Sequence, residues 1–241
     1  MKRLLLALHR RAPWRALDRW LGYSERRRLL DRALETQRPH LGGRVLEIGA
    51  GDERRRGRFR PPIENADLWL TADRDRQVRP SIVADILDLP LPPRTFDAVL
   101  CLEVLEYVDD PSRALAELRR VMAPDGELIM SAPFLHRADS PSDRWRLTGY
   151  GWRALFERCG FEVVEFQSQG GALSAVAHTL KWSAHVMPRG VLRILIAALL
   201  WFLLSLARWL DAPASRRNPL LQTASTGYLI RARRAAVNEE R

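Results

Sequence analysis

Between residues 44 and 166, short β-rich runs alternate with helical stretches, and this alternation constrains the fold more than any other feature of the chain. The strand-like runs are 44–48, 68–72, 81–84, 98–102, 127–131 and 161–166. The clearest helices are 111–122, entered through Asp109-Asp110 with Pro111 just inside, and 149–159, stopped by Gly160. Strands separated by helices cannot pair as hairpins, so they predict a mostly parallel sheet covered on both faces. A last strand is expected at 226–231, giving a doubly wound α/β fold with seven strands. Between 172 and 222 the pattern breaks into a helix over 172–187, a turn at Met187-Pro-Arg-Gly190 and the apolar stretch 191–210, closed by Pro213 and Pro219. This segment is a helical hydrophobic insertion ahead of the last strand.

A length of 241 residues with 46% hydrophobic side chains supplies a sizeable core and excludes a disordered or collagen-like chain. Three parts are expected: a basic helical arm over 1–40, an α/β domain over 41–171 plus 223–235, and a hairpin insertion over 172–222. In the arm, apolar positions 14, 17, 21, 29, 30, 33 and 34 are spaced for a helix over 14–36. The net charge of +10 is local, since residues 1–60 carry 17 basic and 7 acidic residues and the remainder is balanced. It divides into a basic arm at 2–38 and an Arg cluster at 54–60. Such an excess suits an anionic membrane surface or nucleic acid. Arg-biased codon usage is the plain alternative, because 37 of the 39 basic residues are Arg. Two isolated cysteines, Cys101 and Cys159, point to a reducing compartment and no metal site. The five apolar residues following Arg3 are too few for a secretory core, so a cytoplasmic location is expected.

The sharpest motif is Val45-Leu-Glu-Ile-Gly-Ala-Gly51, a strand delivering two glycines into a turn at its carboxyl end. Ligands of open α/β sheets sit at that end, and glycine lets the backbone approach them closely. A third small residue at 54 would complete a dinucleotide fingerprint, but that position is Arg54. Asp73 ends the next strand, 22 residues after Gly51, where a carboxylate can accept both hydroxyls of a ribose, with Asp75 a nearby competitor. Asp85 ends the third strand, followed by Ile86, where an acid and an apolar neighbour suit an adenine ring.

Residues 44–166 resemble the class I S-adenosylmethionine-dependent methyltransferases. The middle of the chain, Leu89-Pro-Leu, Thr95-Phe-Asp-Ala-Val-Leu, Glu103-Val-Leu-Glu-Tyr-Val-Asp-Asp-Pro and Pro124-Asp-Gly-Glu-Leu-Ile-Met, is similar to the type 11 small-molecule branch. The resemblance implies a Rossmann-like methyltransferase fold with S-adenosylmethionine as cofactor. It further implies that Glu47, Gly49 and Gly51 face the methionine moiety, Asp73 the ribose, and Asp85 with Ile86 the adenine. Leu102 and Glu103 would line the sulfonium side. Tyr107 stands where a His is common and Asp125 where a Gly is common. The Arg-rich, Pro61-Pro62-interrupted stretch after Gly51 leaves little room for the usual first helix.

A sulfonium methyl is already activated, so alignment, desolvation and a base are what the protein must add. After the fifth strand, His136, Asp143, Arg146 and Thr148 recur at offsets resembling a subgroup associated with glycan and cell-envelope biosynthesis. On that basis His136 is the candidate general base, Asp143 orients it or binds substrate, and Arg146 holds Asp143 or an anionic substrate group. A structural Asp143–Arg146 ion pair capping the next helix is the competing reading. No GxSxG, Walker-type or HExxH motif occurs.

The uncharged run 194–207 spans roughly 21 Å as a helix, short of a hydrocarbon core of roughly 30 Å. It reads as a monotopic hairpin, a dimerisation or lid element, or a span with Arg193 and Arg208 snorkelling. The hairpin suits a last strand that must return to the same sheet. The chain as a whole reads as a methyltransferase, peripheral or monotopic at the inner face of the cell membrane, acting on a small or lipid-linked acceptor. A glycan or cell-envelope precursor hydroxyl is the preferred acceptor, and a homodimer through 172–211 is a further expectation. The rivals are an RNA methyltransferase using the basic arm and a non-catalytic interaction module.

Overall fold

A computed structural model describes residues 14–51 and 57–235. Positions 2–11 of the basic arm, Arg54–Arg56 and the end of the C-terminal tail lie outside the described residues. The chain forms two compact units, Met1–Leu29 with Gly170–Thr226, and Leu30–Gln169 with Gly227–Arg241.

The second unit holds seven strands: β1 (Gly43–Ile48), β2 (Ala66–Asp73), β3 (Ile82–Val83), β4 (Phe96–Leu102), β5 (Met122–Pro133), β6 (Phe161–Ser168) and β7 (Gly227–Arg234). Their order is β3-β2-β1-β4-β5-β7-β6. β1 to β5 run parallel, whereas β7 is antiparallel to both β5 and β6. The doubly wound seven-stranded α/β fold is therefore present. Central strands are buried on both faces, which explains their unbroken apolar runs. Leu46, Val99, Leu128 and Met130 point to one side, against Leu115 and Leu118 of α3 (Pro111–Val121) and Trp152 and Phe156 of α4 (Gly149–Arg158). Val45, Ala98, Leu100 and Ile129 point to the other, against Leu30, Leu34 and Leu41.

Local chemistry sets the helix starts. Asp110 caps α3 by accepting from the amides of Ser112 and Arg113, and Thr148 caps α4 by accepting from Gly151 at 3.1 Å. β5 starts at Met122, five residues ahead of the expected strand, and passes Gly126 where a Cβ would come within 2.8 Å of the Phe96 carbonyl. β3 is shorter than expected, because this edge strand has a neighbour on one side alone.

The first unit contains α1 (14–22), α5 (Ala172–Val186) and α6 (Val191–Arg217). The expected single helix over 14–36 is interrupted at 23–24, where Ser24 accepts from the Arg27 amide and starts α2 (Glu25–Thr36). The division between the units falls inside α2 rather than at residue 40. Leu17, Trp20 and Leu21 pack with Ala184, Ala197 and Leu200, whereas Leu30, Ala33 and Leu34 pack with the sheet residues. The separate arm and insertion of the sequence reading are thus parts of one unit. Arg193 does not snorkel: it is 4% exposed, donates to the carbonyls of Ala184 (3.1 Å) and His185 (3.2 Å), and pairs with Asp18 at 2.8 Å. It closes the carboxyl end of α5, whose last carbonyls lack helical partners. The side chain of Arg208 is outside the described residues. α6 continues past Pro213 to Arg217, since a proline removes one donor and the other turns persist. Among the described residues no helix is long and apolar enough to cross a membrane.

Candidate active site

The site is built on the carboxyl edge of the parallel strands. Gly49 and Gly51 leave β1 with φ of +67° and +59°, a backbone that favours glycine. The Gly49 amide donates to the Ala72 carbonyl at 2.8 Å and the Gly51 amide to Asp73 Oδ2 at 3.2 Å, so the loop is pinned to the end of β2. Asp73 Oδ1 accepts from the Asp75 amide at 2.9 Å, which orients the carboxylate. Each oxygen keeps a second acceptor site for a ligand hydroxyl. Asp85 accepts from the Leu87 amide at 2.9 Å and stays exposed, while Ile86 is 7% exposed and anchored in the core. Glu47 is buried and accepts from the Trp69 indole at 3.0 Å.

Glu103 follows β4 with φ of +57°, unusual for a residue with a side chain. Its amide donates to the Ser131 carbonyl at 3.0 Å and its carboxylate accepts from the Ser131 hydroxyl at 2.9 Å. These bonds hold a strained backbone in place, and such strain concentrates at functional sites. Leu102, partly buried, packs beside Leu100 on the opposite layer. Val104 lies against Gly49, where a Cβ would come 2.3 Å from its Cγ2, so the loops after β1 and β4 touch.

Residues 134–148 follow β5 and fold over the turn after β4. The Arg144 amide donates to the Glu106 carbonyl at 2.8 Å and the Trp145 indole to the Val108 carbonyl at 2.8 Å. His136, with 12% of its side chain exposed, places Nε2 4.0 Å from Asp139 Oδ2. Tyr107 donates its hydroxyl to Asp139 Oδ1 at 3.4 Å. Burial, reinforced by Glu106, Asp139, Asp143 and Glu103, pushes the Tyr107 phenol up, so it remains a proton donor. Asp143 is almost fully buried and gives both oxygens to Arg146; it also accepts from the Asp139 amide at 3.2 Å. Burial pulls the Asp143 carboxyl upward, but Arg146 and the Asp139 amide outweigh it and hold the group below its ordinary value. Bonding to Asp143 raises the Arg146 guanidinium, opposed by burial.

His136 is thus paired with Asp139, a residue the sequence reading passed over, while Asp143 and Arg146 form a brace. An acid three residues after His136 was the available signal. The burial of Glu106, 1% exposed, had no local signal in the sequence. Among the described residues no group of three or more His, Cys, Asp or Glu is placed to hold a metal ion.

Residues 62–130 match the family described as "Methyltransferase domain". The demethylmenaquinone methyltransferase of Renibacterium salmoninarum is 34% identical over 125 residues, 47% of this chain and 50% of that protein. The ubiquinone biosynthesis O-methyltransferase of Pseudomonas aeruginosa is 28% identical over 102 residues, 37% of this chain and 44% of that protein. The chain matches half the length or less of these curated relatives. Among solved structures, a SAM-dependent methyltransferase from Archaeoglobus fulgidus shares the fold with TM-score 0.54 at 17% identity, covering 86% of this chain and 94% of that one. The YcgJ protein of Bacillus subtilis gives 0.51 at 16%, covering 87% and 99%. Residues 62–130 are thus similar to methyltransferase domains, and the fold is the one that class I methyltransferases share.

S-adenosylmethionine is the cofactor that this fold implies, and the residues at the sheet edge fit it. Among the described residues, a Cβ on Gly51 would meet nothing nearer than the Gly49 carbonyl at 3.7 Å, and a backbone amide and a paired acceptor stand beside it. In the methyltransferase domain Asp73 would hold the ribose, Asp85 and Ile86 the adenine, and Glu47, Gly49 and Gly51 the methionine end. Glu103 and Leu102 would border the reacting side.

Proposed function

We propose that the chain transfers a methyl group from S-adenosylmethionine to a small or lipid-linked acceptor at the inner face of the cell membrane. A hydroxyl of a glycan or cell-envelope precursor is the preferred acceptor atom. The observation that carries this reading is the convergence of the donor residues after β1, β2 and β4 with His136 and Asp139 after β5. When bound, the cofactor supplies an activated methyl on a sulfonium. His136 takes the proton from the acceptor hydroxyl, and Asp139 stabilises the imidazolium that results. The Asp143–Arg146 brace holds segment 134–148 in place, and Tyr107 keeps Asp139 oriented. The relatives named for quinone pathways support a small acceptor, and the apolar helices α5 and α6 support one presented by lipid.

The test is transfer of labelled methyl from S-adenosylmethionine into a membrane extract. Label is expected in the lipid-extractable fraction and is expected to fall at least tenfold with Asp73→Ala, which should also abolish S-adenosylhomocysteine binding in calorimetry. Label in RNA instead, or donor binding indifferent to Asp73→Ala, refutes the reading.

A further inference from the structure

The first unit carries a surface that methyl transfer does not explain. On α6, Leu192, Leu195, Leu199, Phe202, Leu206 and Trp209 are all between 40% and 75% exposed. With the other exposed apolar positions they cover an arc of about 200° at 100° per residue. Contiguous apolar surface of this kind marks an interaction site. The opposite side of α6 is already occupied. Ala197 and Leu200 pack with Leu21 and Ala184, and Arg193 is tied to Asp18 and to the end of α5. Asp18 also holds Arg189 at 2.7 Å, and buried Lys181 donates to the Tyr23 carbonyl at 2.7 Å beneath Trp20. A helix whose inner side is covered by α1 and α5 and carries the Arg193–Asp18 pair is not one surrounded by lipid.

Charge divides between the units as sharply as apolarity does. By sequence, Met1–Leu29 with Gly170–Thr226 has 15 basic and 3 acidic residues, +12, while the sheet unit has 24 basic and 26 acidic, −2. The whole excess of the chain therefore belongs to the unit that exposes the apolar arc. We propose that α1, α5 and α6 form one monotopic docking module, with α6 lying in the plane of an anionic bilayer surface. Its leucines and Phe202 enter the acyl boundary, Trp209 sits at headgroup level, and exposed Arg15 and Arg19 of α1 meet lipid phosphates. The arc is wider than the narrow seam of a two-helix contact, and nucleic acid has no use for a leucine and phenylalanine face. This deepens the lipid-linked acceptor reading and rests on it for purpose, though not for its test.

The full chain is floated with vesicles of phosphatidylcholine, with and without phosphatidylglycerol, in the absence of donor and acceptor. Flotation is expected with phosphatidylglycerol and is expected to weaken as salt rises. Leu199→Asp with Phe202→Asp should cut the bound fraction at least about tenfold, and Arg15→Glu with Arg19→Glu should remove the preference for phosphatidylglycerol. Retained S-adenosylhomocysteine binding certifies that each variant is folded. Equal flotation of the Asp double variant overturns the proposal. So does a dimer in sedimentation equilibrium that Leu199→Asp dissociates, because the face would then belong to a second copy. Flotation with no S-adenosylhomocysteine binding would refute the methyl-transfer reading while leaving the docking module intact.

Discussion

Gly49 is the point at which the donor loop leaves β1, and substituting it tests how the loop is built. Its φ of +67° is a conformation that costs a residue with a Cβ about 1–2 kcal/mol. A methyl group there would also lie 2.3 Å from Val104 Cγ2, a distance no real contact tolerates, so Val104 must shift. Overpacking of this kind costs about 1–3 kcal/mol. Gly49→Ala should therefore destabilise the sheet unit by about 2–5 kcal/mol. It should weaken S-adenosylhomocysteine binding as well, since pushing Val104 away separates the loops after β1 and β4. Urea unfolding followed by circular dichroism measures the first effect and calorimetry the second. Val104→Ala removes the collision but not the backbone cost. In the double variant the two changes should fall short of additivity by about 1–3 kcal/mol. A Gly49→Ala protein with unchanged midpoint and donor affinity, or a strictly additive cycle, would refute the reasoning.

Three further outcomes are expected. His136→Ala should lower kcat by about 10²–10⁴, and Asp139→Asn should lower it by less, because the imidazole remains but loses its acidic partner. Wild-type turnover by His136→Ala would eliminate it as the base. Arg146 holds the Asp143 carboxyl below its ordinary value, so the stability this pair adds is present above that ordinary value and is lost as pH falls through the lowered one. Arg146→Leu leaves a buried carboxylate without its cation, raising its pKa. The stability deficit of the variant, followed by tryptophan fluorescence in urea, should then be largest near neutral pH and shrink as pH falls, because protonation relieves the unpaired carboxylate.

The order of the candidate donor residues was legible because it depends on local chemistry. Gly49, Gly51, Asp73 and Asp85 each stand at or just beyond a strand end, and parallel strands carry such ends to one edge whatever the details of packing. The acceptor side was legible by composition but not by pairing. His136, Asp139, Asp143 and Arg146 lie within eleven residues, and spacing alone does not say which acid meets which base. The loop conformation decides that, through the bonds from Arg144 and Trp145 to the turn after β4. Glu103 is a second case: nothing in Leu102-Glu-Val announces a left-handed backbone, which depends on Ser131 of the neighbouring strand.

By itself the sequence determined the seven strands, the entry of α3 and the end of α4, the glycine turn and the apolar stretch of α6, all products of residue type and periodicity over short range. Tertiary structure alone decided which segments belong together. α1 lies some 150 residues before α5 in the chain, yet Asp18 meets Arg189 and Arg193 across that separation, and Lys181 reaches the Tyr23 carbonyl. Helical periodicity shows that a residue faces inward but not what it faces, because the partner is chosen by long-range packing and charge pairing. For that reason a basic arm and an apolar insertion, separate features along the chain, become one positively charged unit only when folded.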